Sequence, residues 1–309
     1  MYAFFQGKIV PLADAKISIM THGFLYGYGA FEGVRGNWNE AERQVYIFRA
    51  KEHFERLHYS AKAMHIKLKY SVAELTDIAT KLVEKCDFHE DLYLRPTIYK
   101  SDEAVANLNA RSIGDDFLML AVKLANYMDP NRPIHCQISN WRRTADSSIS
   151  PRVKSTGVYI NSILARTEAV QSGFDEAIML NQAGHVSEGS GENLFIISKG
   201  KLVTPSEGDD ILSGITRASI MELARNELHM ETVERSIPRG ELYSAEEVFL
   251  TGTAAHLTPV GMIDHRPVGD GKIGPITNKL QQAYFDAIRG RNKKYSAWTT
   301  PVYATAAAR

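Results

Sequence analysis

Two segments of the sequence could hold an anion. In LSGITRASIMELAR (212–225), Ser213-Gly214 precedes an amphipathic helical pattern, so the first free amides would be those of Ile215 and Thr216. Such a helix start suits a phosphate or carboxylate, although taken alone the segment reads first as an ordinary capped helix. In LTGTAAHLTPV (250–260) an apolar strand ends in Thr251-Gly252-Thr253, where glycine admits close backbone approach and two hydroxyls add donors. Glu188, in the glycine-rich bend of HVSEGSGENLF (185–195), is either a turn residue or a charge placed for a ligand. Lys154 in SPRVKSTG is, by its own neighbours, a solvated loop charge.

Other chemistries find little support. GDGKIG (269–274) has the letters of a dinucleotide fingerprint, but no apolar strand precedes it and Pro275 follows, so it reads as a turn. GYGAFEG (27–33) has one residue too many before its last glycine, which argues against a nucleotide-binding dehydrogenase. The 10 histidines contain no HExxH pair, and His53 and His58 are five apart, off a common helical face; no metal is expected. Cys86 and Cys136 are too few for a disulfide framework and form no zinc pattern, which fits a reducing, cytoplasmic compartment. Lys plus Arg equals Asp plus Glu at 36 each, which argues against a nucleic-acid partner. The most apolar run, 117–127, is broken by Lys123, and neither a signal peptide nor a membrane span is expected.

The elements that would position these groups follow from periodicity. Residues 2–10 read as two short strands around Gln6-Gly7-Lys8, and LYLRPTIY (92–99) alternates like a half-buried strand. The stretches 49–65 and 71–85 read as helices; in the first, Phe54, Leu57, Ala61 and Met64 form a core-facing stripe, with Lys51, Glu55 and Lys62 facing water. A buried strand within 117–127 leads to Pro130 and Pro133. At 309 residues two domains are expected: 1–124, a linker at 125–133, and 134–309. The second domain reads as a strand near 134–140, a helix near 158–172, strands at 176–180 and 193–198, and a helix at 215–230, a mixed α/β order. NLFIIS followed by Lys199-Gly200-Lys201 is a hairpin signature, which weakens a purely parallel reading.

Taken in order, YGYGAFEGVRG (26–36), FRAKEHFERLHYSA (48–61), YLRP (93–96), VKSTGVYINS (153–162), GHVSEGSGENLF (184–195), LSGITR (212–217) and TGTAAHLTPV (251–260) resemble the branched-chain amino-acid aminotransferase family, within the fold type IV pyridoxal-phosphate enzymes. The resemblance runs from Asp14 to about Tyr284. It implies an α/β (α+β) fold, with a small amino-terminal α/β domain and a larger carboxy-terminal domain built on a mixed sheet or pseudo-barrel.

By that resemblance Lys154 would carry pyridoxal 5′-phosphate and act as the catalytic base, and Glu188 would hydrogen-bond the pyridine nitrogen. The chemistry accounts for both: a lysine amine must be unprotonated to attack a carbonyl and later move a proton between two carbons. A carboxylate at the ring nitrogen keeps it protonated, so that the ring serves as an electron sink. Tyr159 would reach the cofactor's phenolic oxygen, the alternative being a packed core tyrosine. Arg49, the amides of Ile215 and Thr216 and the hydroxyl of Thr253 would form the phosphate cup. Tyr93 and Arg95, with the backbone at Thr253 and Ala254, would take the substrate carboxylate; Arg95 is also the expected partner of a glutamate γ-carboxylate. Tyr26, Phe31 and Tyr127 would wall the side-chain pocket, Tyr127 coming from a partner subunit.

The resemblance therefore implies transfer of the amino group of leucine, isoleucine or valine to 2-oxoglutarate by a ping-pong route. Its partners would be amino acids and 2-oxo acids, and its assembly a homodimer or a homo-oligomer of dimers. Two departures stand out: His256 replaces the acidic residue usual in GTAAE, and Ser155-Thr156 occupy a stretch that is often smaller or more apolar. The rivals are a D-amino-acid or (R)-amine aminotransferase or an aminodeoxychorismate lyase of the same fold, and a non-catalytic phosphate-ligand binding protein.

Overall fold

The computed structural model describes residues 1–125 and 128–304. The chain divides into two compact units, Met1–Ala125 with Val153–Gly157 and Asp286–Arg309, and Asn126–Arg152 with Val158–Phe285. Two segments that a contiguous division would assign to the second unit, 153–157 and 286–309, thus pack with the first. Backbone pairing explains both: Ser155 bridges Ala30, and the strand Thr299–Pro301 pairs with residues 46–48.

In chain order the first unit supplies β1 (Tyr2–Phe5), β2 (Lys8–Pro11), α1 (His22–Tyr26), β3 (Gly29–Phe31), β4 (Val34–Asn39), β5 (Gln44–Phe48), α2 (Ala50–Ala63), α3 (Val72–Cys86), β6 (Leu92–Lys100) and β7 (Asp115–Lys123). The second supplies β8 (Ile134–Arg142), α4 (Tyr159–Gln171), β9 (Glu176–Leu180), β10 (Val186–Gly189), β11 (Asn193–Ser198), β12 (Lys201–Thr204), α5 (Ile215–Leu228), β13 (Thr232–Glu234), β14 (Glu247–Gly252), β15 (His256–Ile263), β16 (Arg266–Pro267) and α6 (Pro275–Ile288). β17 (Thr299–Pro301) returns to the first unit.

The first unit's sheet runs β17-β5-β4-β6-β7-β1-β2, with β3 paired to β6. Along β6, Leu92, Leu94, Pro96 and Ile98 are buried while Tyr93, Arg95 and Thr97 are half-buried, so the pleat sets Tyr93 and Arg95 on the face opposite the core. α2 packs its Phe54, Leu57 and Ala61 into the same core, as its stripe requires, and Lys51, Glu55 and Lys62 are exposed. The stripe is wider than periodicity alone suggests, because His53 and Ser60 are buried with it. α3 starts on a capping box in which Ser71 and Glu74 satisfy each other's backbone amides.

The second unit's sheet runs β10-β9-β8-β15-β14-β11-β12-β13, with β16 on β15. β8 pairs in parallel with β9 and β15, and β12 with β13; the other pairings are antiparallel. The sheet is therefore mixed, and β11–β12 is the expected hairpin. β9 and β14 are buried almost residue for residue, which explains the apolar runs AIML and VFL within them: strands covered on both faces need not alternate; β10 is equally buried but carries Ser187 and Glu188. α4 lies close against β9 because Ala165 and Ala169 meet Ala177 and Met179.

Periodicity located α2, α3, α4 and α5, but α1 and α6 were not expected. α6 begins at Pro275, directly after the GDGKIG turn, where proline at the first helical position has no amide to waste. Its start is capped from a distance: the Glu247 carboxylate accepts from Ile276 N (3.0 Å), Thr277 N (2.7 Å) and Thr277 Oγ1 (2.6 Å). Gly274 is required beside it, since a Cβ there would lie 2.0 Å from Glu247 Cδ. Among the described residues no helix is long and apolar enough to cross a membrane, and both cysteines are free thiols. Replacing Glu247 by alanine leaves buried amides at the start of α6 without an acceptor. The expected cost is about 1–3 kcal/mol of unfolding free energy in urea denaturation, and a change below about 0.5 kcal/mol would refute the capping role.

Candidate active site

In the first unit the Lys154 backbone is held against β3. Phe31 N donates to Lys154 O (3.0 Å), Thr156 N to Gly29 O (2.8 Å), and Thr156 Oγ1 to the carbonyls of Gly27 (2.6 Å) and Gly29 (3.1 Å). Ser155 N donates to Val153 O (2.8 Å), closing a three-residue turn around Lys154. The lysine is half-buried, with Nζ 5.1 Å from the Phe31 ring centroid. The Ser155-Thr156 departure thus has a local use: the Thr156 hydroxyl satisfies two carbonyls that a smaller side chain would leave to other donors.

Phe31, Tyr93 and Arg95 come together as expected. The Arg95 guanidinium lies 4.1 Å from the Phe31 centroid and donates to Tyr93 Oη at 3.3 Å. Among the described residues Arg95 has no carboxylate partner, so its charge faces aromatic surface and remains available to an anion. Gly33 makes room for Tyr93, whose Oη would lie 2.4 Å from an added Cβ. Tyr26 ends α1 just before Gly27, which packs against Gly157, and its hydroxyl accepts from Ala106 N at 2.8 Å. Arg49 is in the left-handed region (φ 51°), stacks its guanidinium 4.0 Å over Trp298 and pairs with Glu52 at 2.6 Å. Trp298 could not have been chosen from sequence, since it lies 249 positions from Arg49 with no motif of its own.

Directly after Phe31, Glu32 heads a buried network that no sequence motif announces. Its carboxylate accepts from Arg56 Nε (2.8 Å) and Nη2 (2.7 Å) and contacts His53 Nδ1 (2.7 Å), and Glu32 and His53 are almost fully enclosed. Burial alone would push the Glu32 carboxyl up; the Arg56 charge and hydrogen bonds, with that of His53, bring it down to about 2. Burial dominates at His53 and lowers it, so the imidazole is neutral and Arg56 alone balances Glu32. The sequence signal was the EHFER string, where His53 and Arg56 stand three apart on one face of α2.

In the second unit Glu188 is a placed charge rather than a turn residue. It is 5 % exposed, with Oε1 2.7 Å from Arg143 Nε and Oε2 accepting from Asn193 Nδ2 (3.0 Å) and Leu212 N (3.0 Å). Asn193 Nδ2 also donates to Leu212 O at 2.8 Å, so the segment leading into α5 is fastened to Glu188. Arg143 reaches the second turn region of α4 as well, with Nη1 3.4 Å from Ser162 Oγ; Tyr159 is the first residue of that helix. Arg143 was missed because nothing in WRRT distinguishes it from its neighbours.

α5 starts at Ile215 on Gly214, with no side-chain cap and no acidic residue in its first turn. A Cβ at Gly214 would fall 1.8 Å from Asn193 Oδ1, so glycine is required for the helix start to sit against Asn193. Arg217 anchors the first turn through Pro205 O (2.9 Å) and Glu234 (2.7 Å). Thr253 and Ala254 lie in the three-residue turn between β14 and β15, where Gly252 pairs with His256. Thr251 Oγ1 is buried with no hydrogen-bond partner among the described residues, an orphan donor at the base of that turn. His256 is buried at φ 55° and packs 5.3 Å from the Phe285 ring centroid. Tyr127 lies outside the described residues, among which no group of His, Cys, Asp or Glu could hold a metal ion.

The chain matches the model of the amino-transferase class IV family over residues 29–263. It is 50% identical over 304 residues to a probable branched-chain-amino-acid aminotransferase of Aquifex aeolicus, covering 98% of this chain and 97% of that one. Among solved structures it resembles a branched-chain aminotransferase of Thermoproteus uzoniensis with norvaline, at a TM-score of 0.93 and 39% identity over 98% of this chain and 99% of that one. It also resembles a branched-chain amino acid aminotransferase of Thermobaculum terrenum in its PLP form, at a TM-score of 0.93 and 34% identity over 98% of each chain.

The Glu32 network generates a pH signature. Its folded pKa lies below the ordinary value of 4.5, so its stabilisation is complete above 4.5 and is lost as pH falls towards about 2. Glu32→Gln strands the Arg56 charge and is expected to cost about 3 kcal/mol at neutral pH, with the difference from the native chain shrinking below pH 4.5. Denaturation curves showing an unchanged difference across that range would contradict the ionised assignment.

Proposed function

The chain belongs to the class IV amino-transferase family and, within it, to the branched-chain-amino-acid aminotransferases; from that premise we propose that it passes the amino group of leucine, isoleucine or valine to 2-oxoglutarate by a ping-pong reaction. Its cofactor is pyridoxal 5′-phosphate, which when bound supplies an electron sink for the charge left at the substrate Cα. The donor set fits that group. A helix start at Ile215 and Thr216 with no side-chain cap, and a buried Thr251 hydroxyl with no partner, both among the described residues, suit a phosphate, and the Glu188 carboxylate suits a protonated ring nitrogen. Arg49 and Thr253 complete the proposed phosphate contacts, and Tyr159 is assigned to the phenolic oxygen.

Each side chain has a separate task. Lys154 Nζ takes the proton from the substrate Cα and returns it to a different carbon, which requires an amine set at one place; the turn closed by Val153 and Ser155 and the bond to Phe31 N supply that placement. Arg143, Asn193 and Leu212 N hold the Glu188 carboxylate in one orientation, so little reorganisation is left to the reaction. Arg95, poised on aromatic faces without a carboxylate of its own among the described residues, takes the anionic end of the substrate, with Tyr93 beside it and the backbone of Thr253 and Ala254 helping. Phe31 and Tyr26 offer apolar wall, and Tyr127 of a second copy is assigned the same role. The Arg95 guanidinium, held by Tyr93 and Phe31 but paired with no carboxylate among the described residues, is the observation that carries the reading, because a non-catalytic phosphate binder would not need a second anion site on another strand.

A homodimer or an assembly of dimers, resident in the cytoplasm, accompanies this reading. It is supported by α4, which turns Ile160, Ile163 and Val170 outward as an apolar stripe while its small residues face inward. Light scattering at a single chain mass of 34.5 kDa would contradict the assembly. For the reaction, the holoenzyme is expected to favour L-leucine over D-alanine or an (R)-amine by at least about 100-fold in kcat/KM. A preference for either of the latter, in a stopped assay with 2-oxoglutarate, would overturn the substrate assignment.

A further inference from the structure

Glu192 sits in the bend between β10 and β11, outside the groups proposed to touch cofactor or substrate. It is 6 % exposed, and its carbonyl accepts from Gly189 N at 2.6 Å while its own Oε2 accepts from Gly191 N at 3.1 Å. The side chain folds over two glycines: a Cβ on Gly189 would lie 2.8 Å from Oε2, and one on Gly252 would lie 3.5 Å from Cγ. Gly189 follows Glu188, Gly252 precedes Thr253, and Asn193, the next residue, holds the Glu188 carboxylate. The Glu192 carboxyl is therefore the packing piece that joins the Glu188 bend to the β14–β15 turn.

Its charged surroundings are unfavourable to an anion. β9 brings Glu176, fully buried; β10 brings Glu188; β8 brings the buried Cys136 thiol. Glu188 has Arg143 at 2.7 Å and Glu176 has Arg166 of α4 at 2.9 Å, but Glu192 has no ion pair of its own among the described residues. Three carboxylates share two arginines. Burial first, then the charge of Glu176, push the Glu192 carboxyl up to about 8; the Gly191 amide and Arg166 pull the other way, and Glu188 adds the smallest push.

We propose that Glu192 is a positioning residue that works as a neutral, proton-bearing carboxyl, keeping the Glu188 bend closed against Gly189 and Gly252, and that loss of its proton to solvent in alkaline solution opens the bend and displaces Glu188 and Thr253. Its effect on catalysis rests on the aminotransferase reading above; its protonation does not. The sign of the linkage is fixed: the folded chain holds a proton that the unfolded chain has already lost, so stability falls as pH rises from 4.5 towards about 8 and is level beyond.

Two readouts test it on the whole protein. Infrared titration should show a protonated-carboxyl C=O band that disappears with a midpoint near pH 8 and is missing from Glu192→Gln. The alkaline limb of kcat should begin near pH 8 and move up by at least one unit in Glu192→Gln, whereas a role in packing alone would lower kcat by the same factor at every pH. Absence of the band, or an unmoved limb in an active variant, overturns the proposal. A protein with the band but no aminotransferase activity refutes the catalytic reading and leaves the neutral carboxyl standing. Should the glutamine variant fail to fold, Glu192→Asp, which keeps a carboxyl but withdraws it from Gly189, must shift the infrared midpoint by at least half a unit; an unchanged midpoint overturns the assignment.

Discussion

Residues 153–157 pair with 27–31 through Phe31 N, Thr156 N and the Thr156 hydroxyl, and the first unit's chemistry depends on that short backbone contact. A flexible lysine side chain is useful only if its root is fixed, and here the root is fixed to the strand that also carries Phe31 and leads into Glu32. The same strand pairs with β6, whose pleat presents Tyr93 and Arg95 away from the core. The Lys154 root, the Phe31 ring and the Arg95 guanidinium stacked on it thus depend on one set of hydrogen bonds. Glu32, Arg56 and His53 anchor the far end of the strand with a buried, balanced charge, at the risk that removing one partner leaves another stranded.

The second unit solves a different problem, that of keeping carboxylates inside a protein. Glu188 is paired with Arg143 and accepts from Asn193 and Leu212, and these two also set the start of α5. The helix start proposed for a phosphate and the carboxylate proposed for a ring nitrogen are therefore tied by hydrogen bonds at one place. Crowding carboxylates there raises the cost of ionising the next one, and Glu192 meets it.

How much of this was legible in the sequence depended on the range of the interaction. α2 and α3 were readable because periodicity is local, and the Tyr93–Arg95 pair was readable because strand alternation is local. Lys154 reads as an ordinary loop charge by its own neighbours, and Glu188 as either a turn residue or a placed charge; only the ordered set of motifs assigns either a role. Arg143, Trp298 and Glu247 were illegible, since each acts on a partner far along the chain and none stands in a distinctive string. α6 is illegible for a local reason: the GDGKIG string reads as a turn, and nothing beside it in sequence marks Pro275 as a helix start. The capping carboxylate that makes it a start comes from Glu247, 28 residues earlier.

The assignment of Lys154 as the lysine that carries the cofactor is tested most directly by borohydride reduction of the holoenzyme followed by peptide mass mapping. The expected result is a single phosphopyridoxyl group on the peptide containing Val153-Lys154-Ser155, with loss of labelling in Lys154→Ala. Labelling of another lysine in the native protein, or none in protein that retains bound cofactor, would contradict the account.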